Sequence, residues 1–180
     1  MVGSYSKKCR LCGSLDLIEV LRLEDSPLCD EYLKTKTNQK NFPLGLNACR
    51  LCDFVQLNYV VPPELIYKNY IYKTTSSHGL RNHFMEYAVD VRNTLGLEGE
   101  KFIVDIGSND GTLLKFFKQQ GHKILGVEPA DDIAYSANEN DILTLPKFFD
   151  KDTARNIFSE FGAADVITIN NLFANIVDLN

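Results

Sequence analysis

Four of the five cysteines fall in two Cys-x-x-Cys pairs, Cys9/Cys12 and Cys49/Cys52. Each such turn sets two thiolates on one side of a tight loop, and two turns supply the four sulfurs of a tetrahedral zinc site. The tetrapeptide Cys-Arg-Leu-Cys stands at both places, so two similar knuckles are expected. Gly13 follows the first pair and Asp53 the second; both residue types enter the left-handed backbone that knuckles use. Unligated thiols and a redox Cys-x-x-Cys are the alternatives. A redox motif belongs between a strand and a helix, and neither pair has that setting. A closed four-sulfur site has no open position, so its role would be structural. Cys29 lies away from both pairs and reads as a plain buried or half-buried thiol.

The second constellation is Val104-Asp105-Ile106-Gly107-Ser108-Asn109-Asp110-Gly111-Thr112, with Glu128 further on. It stands where an apolar run gives way to a helical pattern, and ligands of open α/β sheets bind at such strand ends. A carboxylate about 20 residues beyond the glycine turn is placed to meet ribose hydroxyls. A dinucleotide site would want a G-x-G-x-x-G pattern, but Asn109 and Thr112 stand at its second and third positions. Asp105 would sit poorly beside a pyrophosphate and suits a cationic ligand, such as the amino group or sulfonium of S-adenosylmethionine. A bare glycine turn in a parallel sheet is the bland alternative. Asn170 and Asn171 follow a later strand beside the same cleft, where they could bond a ligand or cap a helix.

The elements that must hold these residues are legible in outline. Residues 1–62 carry the cysteine pairs and short β-like runs such as Leu17–Leu23 and Val55–Val60. Pro62-Pro63-Glu64 reads as a helix start, and Tyr67–Ser77, rich in Tyr, Thr and Ser, as an ordered loop. Leu80, Phe84, Ala88, Val91 and Leu95 recur at helical spacing, which predicts a helix from His78 to about Leu95. From Lys101 strands and helices alternate. Strands are expected at Phe102–Ile106, Ile124–Val127, Ile142–Leu145 and Asp165–Ile169. Helices are expected at Leu113–Gln120, Ile133–Asn138 and Asp150–Phe161. Alternation of this kind implies a parallel sheet. The expected division is therefore a zinc-binding domain at 1–62, a helical linker with the tyrosine segment at 63–97, and a nucleoside-binding α/β domain at 98–180.

Bulk properties narrow the classes. The 180 residues are 44% hydrophobic and 24% charged, with a formal net charge of -5 and no long run of either sign. Nucleic-acid binders usually show a basic stripe, so nucleic acid is not an expected partner. No apolar stretch approaches the roughly 20 residues of a membrane span, and the polar, basic start lacks the apolar core of a signal peptide. A cytoplasmic location is expected, where thiols stay reduced. His83 and His122 read as surface or structural residues, and His78, beside the tyrosine segment, as a possible pocket residue.

Together these motifs resemble the sugar C-methyltransferase family of deoxysugar biosynthesis. Cys-Arg-Leu-Cys-Gly-Ser at 9–14 with Ser26-Pro27-Leu28 resembles the family's zinc-binding start. Asn47–Cys52, Val55-Gln56-Leu57 and Val61–Leu65 resemble its second half. Tyr70–Ser77 resembles its active-site tyrosine and serine segment. Ile106–Gly111 and Val127–Ala130 resemble its donor motifs. Asn170–Leu179 resembles its Asn-Asn-x-x-Ala-His-x-x-Asp-Leu signature.

The resemblance implies an α/β chain: a small four-cysteine zinc-binding domain followed by a Rossmann-like class I methyltransferase domain. It implies S-adenosylmethionine and Zn2+ as cofactors, a nucleotide-linked 4-keto-deoxysugar as substrate, and catalytic positions at Tyr72 and Asn175. It places donor binding on Tyr70, Asp105, Gly107, Asn109, Asp110, Glu128, Asn170 and Asn171, and the metal on Cys9, Cys12, Cys49 and Cys52. Asn175 stands where the family pattern has histidine, and an amide cannot serve as a general base. Three further strands and a second catalytic segment belong to the family beyond Asn180. The sheet is therefore expected to be incomplete here, in the order 3-2-1-4, with its fourth strand an open apolar edge. A zinc-stabilised binding module without catalysis is the alternative reading.

Overall fold

Short antiparallel pairings before Tyr67 and a strand–helix alternation after it build two compact units. The computed structural model describes residues 3–30, 32–68 and 70–176, the side chain of His78 excepted. One unit runs to Tyr67 and also takes in Asn175; the other spans Lys68–Ala174.

The first unit contains β1 (Ser4–Tyr5), β2 (Leu17–Ser26), β3 (Phe42–Cys49), β4 (Val55–Leu57), β5 (Tyr59–Val60) and a short helix α1 (Pro63–Tyr67). β2, β3 and β4 form an antiparallel sheet with β3 in the middle, and β1 pairs with β5. β3 was not legible as a strand, because Pro43, Gly45 and Asn47 all disfavour extended ladders. Pairing on both sides holds it there: Leu46 lies opposite Leu21 of β2 and Leu57 of β4.

The second unit begins with α2 (His78–Leu95), which ends at Gly96 in the left-handed conformation. β6 (Phe102–Ile106), α3 (Thr112–Gln119), β7 (Lys123–Val127), α4 (Asp131–Glu139), β8 (Thr144–Leu145), α5 (Lys151–Phe161) and β9 (Val166–Ile169) follow. The sheet order is β8-β7-β6-β9 and all three pairings are parallel, which is the expected 3-2-1-4 arrangement. The third strand is shorter than expected, because Ile142 is buried against α3 and α2 in place of joining the ladder.

Strand side chains alternate between faces. On one face Ile103, Ile124 and Val166 pack with Leu113, Leu114 and Phe117 of α3 and Phe84 and Ala88 of α2. On the other, Phe102, Val104, Ile106, Leu125 and Val127 pack with Ile157 of α5. Leu95 departs from the predicted helix face: it is 56% exposed, because a stripe repeating every 3.6 residues leaves the core at the last turn. The chain is thus a small four-cysteine unit followed by a Rossmann-like α/β unit. Among the described residues no helix is long and apolar enough to cross a membrane.

Candidate functional site

The two cysteine knuckles close in the same way. In the first, Gly13 N–H donates to the Cys9 carbonyl at 2.9 Å and Cys9 N–H to the Ser14 carbonyl at 2.8 Å. In the second, Asp53 N–H donates to the Cys49 carbonyl and Cys49 N–H to the Phe54 carbonyl, both at 2.9 Å. Gly13 (φ 76°) and Asp53 (φ 59°) are both left-handed, as their residue types allow.

The four sulfurs lie within 4.8 Å of one another. Cys9 Sγ is 3.7 Å from Cys52 Sγ, and Cys12 Sγ is 3.6 Å from Cys49 Sγ. A tetrahedron with metal–sulfur bonds of ~2.3 Å has edges of about 3.8 Å, so the quartet has the dimensions of a zinc site. These separations are far beyond a disulfide bond.

Protonation points the same way. Burial opposes ionisation of Cys9. The Cys12 and Leu11 backbone N–H groups and the Cys12 and Cys52 thiols nevertheless draw it down to about 7. The Phe54 backbone N–H favours the Cys52 anion, but burial and three neighbouring sulfurs push it up to about 12. Four thiolates at this spacing need a cation among them. Gln56, 3% exposed, ties the first knuckle to β4. Its Oε1 accepts from Arg10 N–H at 2.8 Å, and its Nε2 donates to the Lys8 carbonyl at 3.1 Å. Cys29 departs from expectation: it is exposed, in a turn after β2 that Pro27 keeps out of the sheet.

In the second unit Asp105 lies on the same face of β6 as Ile103, and parallel register sets Thr168 of β9 beside it. Thr168 Oγ1 donates to Asp105 Oδ1 at 2.7 Å. Burial raises the Asp105 carboxyl to about 7; the Thr168 bond works against that shift, and the charge of Glu128 adds to it. Glu128 is also raised by burial, against backbone bonds from Ala130 and Asn109. Its Oε1 accepts from Ala130 N–H at 2.9 Å and its Oε2 from Asn109 N–H at 3.0 Å. A carboxylate has about four lone-pair sites, so each oxygen can accept once more. Two buried carboxylates, the charge of Glu128 disfavouring that of Asp105, form a place where a cation or hydroxyl donors are stabilised.

Gly107 (φ 71°) turns the chain out of β6, and a Cβ there would meet Leu172 Cδ2 at 3.0 Å. Leu172 therefore lies against this backbone, and a ligand approaching from that side would displace it. Asn170 follows Ile169, the register partner of Ile106, so Asn170 and Gly107 leave neighbouring strand ends. Asn170 Nδ2 and Ser108 Oγ are buried without a hydrogen-bond partner among the described residues. Buried orphans of this kind call for a ligand or water, and both belong to segments that leave these strand ends. Asn171 is left-handed (φ 53°).

The remaining predicted residues are placed as follows. Tyr72 is 38% exposed, its hydroxyl shares a 2.9 Å hydrogen bond with Ser77 Oγ, and its ring centroid is 6.4 Å from that of Tyr70. Asn109 and Asp110 turn their side chains to residues 72–75. Asn175 is exposed in a short turn, Phe173–Asn175. Val177, Asp178 and Leu179 of the signature lie outside the described residues, as does the His78 side chain. Gln56 stands in the sequence reading only within the Val55-Gln56-Leu57 run, with no role of its own, and Thr168 has none. Thr168 had a signal, as the polar residue inside Val166-Ile167-Thr168-Ile169.

The family comparison agrees with the geometry of the cysteine quartet. Residues 9–67, which hold all four cysteines, match the family described as "Putative zinc binding domain". Over 176 residues the chain is 28% identical to the C-methyltransferase NovU of Streptomyces niveus, covering 96% of this chain. It spans 42% of the length of that relative. Among solved structures, it is similar over 53% of its length to magnesium protoporphyrin IX methyltransferase (ChlM) from Synechocystis PCC 6803 with bound SAM. The TM-score is 0.40, with 13% identity and 47% of that chain covered. It is similar over 48% of its length to the plantazolicin methyltransferase BpumL in complex with SAH. Here the TM-score is 0.36, with 20% identity and 33% of that chain covered.

Proposed function

We propose that this chain is the zinc-stabilised, donor-binding part of an S-adenosylmethionine-dependent C-methyltransferase acting on a nucleotide-linked 4-keto-deoxysugar. The observation that carries the donor assignment is the pair of buried carboxylates, Asp105 and Glu128, flanking the left-handed turn at Gly107. When bound, S-adenosylmethionine supplies an electrophilic methyl group on a sulfonium. Asp105 neutralises positive charge at the end of β6. Glu128, fixed by two backbone N–H groups, offers its free lone pairs to the ribose hydroxyls. Gly107 offers its backbone once Leu172 moves aside, and Asn170 offers its Nδ2, which has no partner among the described residues. Tyr72 stands on the substrate side, where its hydroxyl can donate to a developing oxyanion. In the substrate class proposed, the ketone acidifies the adjacent C–H, and that carbon becomes the nucleophile. The motif likeness and the similarity to a C-methyltransferase support this class. The cysteine quartet holds metal only as thiolates, which supports a reducing compartment, the cytoplasm.

Titration calorimetry with S-adenosylhomocysteine tests the donor assignment. Binding heat is expected with the 180-residue chain, and at least ~10-fold weaker affinity with Asp105→Asn, since hydrogen bonds to charged groups contribute about 1.5–3 kcal/mol. Absence of heat at millimolar ligand would refute it. A second reading, a zinc-stabilised module without catalysis, is favoured by Asn175, whose amide cannot take a proton. On that reading Asp105→Asn leaves biological activity unchanged.

A further inference from the structure

The tyrosine segment, 70–77, has no strand partner among the described residues; its regular structure is the single turn Thr74–Ser76. Side chains from the donor loop hold it in place. Asn109 Oδ1 accepts from Thr74 N–H at 2.9 Å and from Thr74 Oγ1 at 3.3 Å, and Asn109 Nδ2 donates to the Tyr72 carbonyl at 2.8 Å. Asp110 Oδ2 accepts from Thr75 N–H at 2.9 Å, while its Oδ1 accepts from the Thr112 hydroxyl at 2.6 Å. Thr74 is buried as a result. The backbone of the same Asn109 donates to Glu128 Oε2 at 3.0 Å. One residue, at φ 49°, thus joins the carboxylate of the donor site to the chain that carries Tyr72.

We propose that Asn109 is a positioning residue that couples donor occupancy to the ordering of the tyrosine segment, so that engaging Glu128 tightens the substrate side of the site. Its side-chain amide bonds residues 72–74 through both its oxygen and its nitrogen, which fastens it to the segment. Asp110 adds a second tie at Thr75. A ligand that fixes Glu128 also fixes the Asn109 backbone, which limits how far Thr74 and Tyr72 can move. The coupling is reciprocal: an ordered segment tightens donor binding by the same factor. This inference rests on the donor reading above.

Hydrogen exchange, followed residue by residue with and without S-adenosylhomocysteine, tests it. Asn109→Gly is the first variant, because glycine keeps the positive φ while removing both side-chain ties. Without ligand, the Thr74 amide should exchange roughly tenfold faster in Asn109→Gly, the effect of losing more than one hydrogen bond, with β6 and β7 unchanged. With ligand, Thr74 should gain protection in the parent chain and little in the variant, which should still bind, though more weakly. Asn109→Asp keeps the acceptor for Thr74 and loses the donor to Tyr72, so an intermediate rate is expected; it gives the readout if Asn109→Gly destabilises the whole unit. Ligand heat with equal Thr74 protection in parent and variants would overturn the coupling alone. No ligand heat in the parent would overturn the donor reading and the coupling with it.

Discussion

At the scale of single residues, Asp105 is where pH acts. An unfolded aspartate titrates near ~3.9, whereas burial holds the folded Asp105 at about 7. The folded chain therefore binds more protons between those values. The stability contributed is fully present below the unfolded value and is lost as pH rises through about 7. For the ligand-free chain, thermal melts should show a component that falls from about pH 4 to about pH 7 and levels off above it, and Asp105→Asn should flatten it. An identical slope in the variant would remove Asp105 as its source. A cation beside Asp105 reverses the preference, so S-adenosylmethionine affinity should be weaker at about pH 6 than at about pH 8. Thr168 moderates the shift through its 2.7 Å bond.

At the scale of elements, the zinc unit depends on how its two knuckles are fastened to their strands. The second knuckle lies between β3 and β4, which pair with each other. The first is fastened to β4 through both ends of the Gln56 amide. Gln56→Leu should strand the Arg10 N–H and the Lys8 carbonyl, at a cost of about 1–3 kcal/mol. Competition with a chromogenic chelator should show faster metal loss from this variant, and unchanged release would make Gln56 a bystander. Removing the metal from the parent chain should lower the melting midpoint, because binding free energy at such sites is folding free energy. Affinity should also weaken at low pH, since thiols such as Cys52 must give up protons held well above neutrality.

At the scale of the whole molecule, β9 ends the sheet with one neighbour among the described residues, β6. Its Ile167 and Ile169 are 56% and 38% exposed. An edge of this kind offers unpaired backbone beside apolar side chains and invites another strand. The 180-residue chain should therefore self-associate as concentration rises in sedimentation experiments. Ile167→Lys should shift it toward monomer, and a concentration-independent monomer in the parent would dismiss the edge as a contact.

Residue spacing by itself determined the cysteine quartet, the parallel order 3-2-1-4 and the carboxylate–glycine turn. Those features depend on local geometry: a Cys-x-x-Cys turn orients its own sulfurs, and strand–helix alternation leaves few ways to wind a sheet. Tertiary structure decided the rest. β3 is a strand because two partners flank it, against the preference of Pro43, Gly45 and Asn47. Asn109 and Asp110 turn toward Thr74 and Thr75, 35 positions away in the chain, where no local pattern could announce the pairing. The same limit applies to Thr168, 63 positions from Asp105, and to Leu172 against Gly107. Side-chain contacts at such range follow from packing, which no short window of sequence encodes.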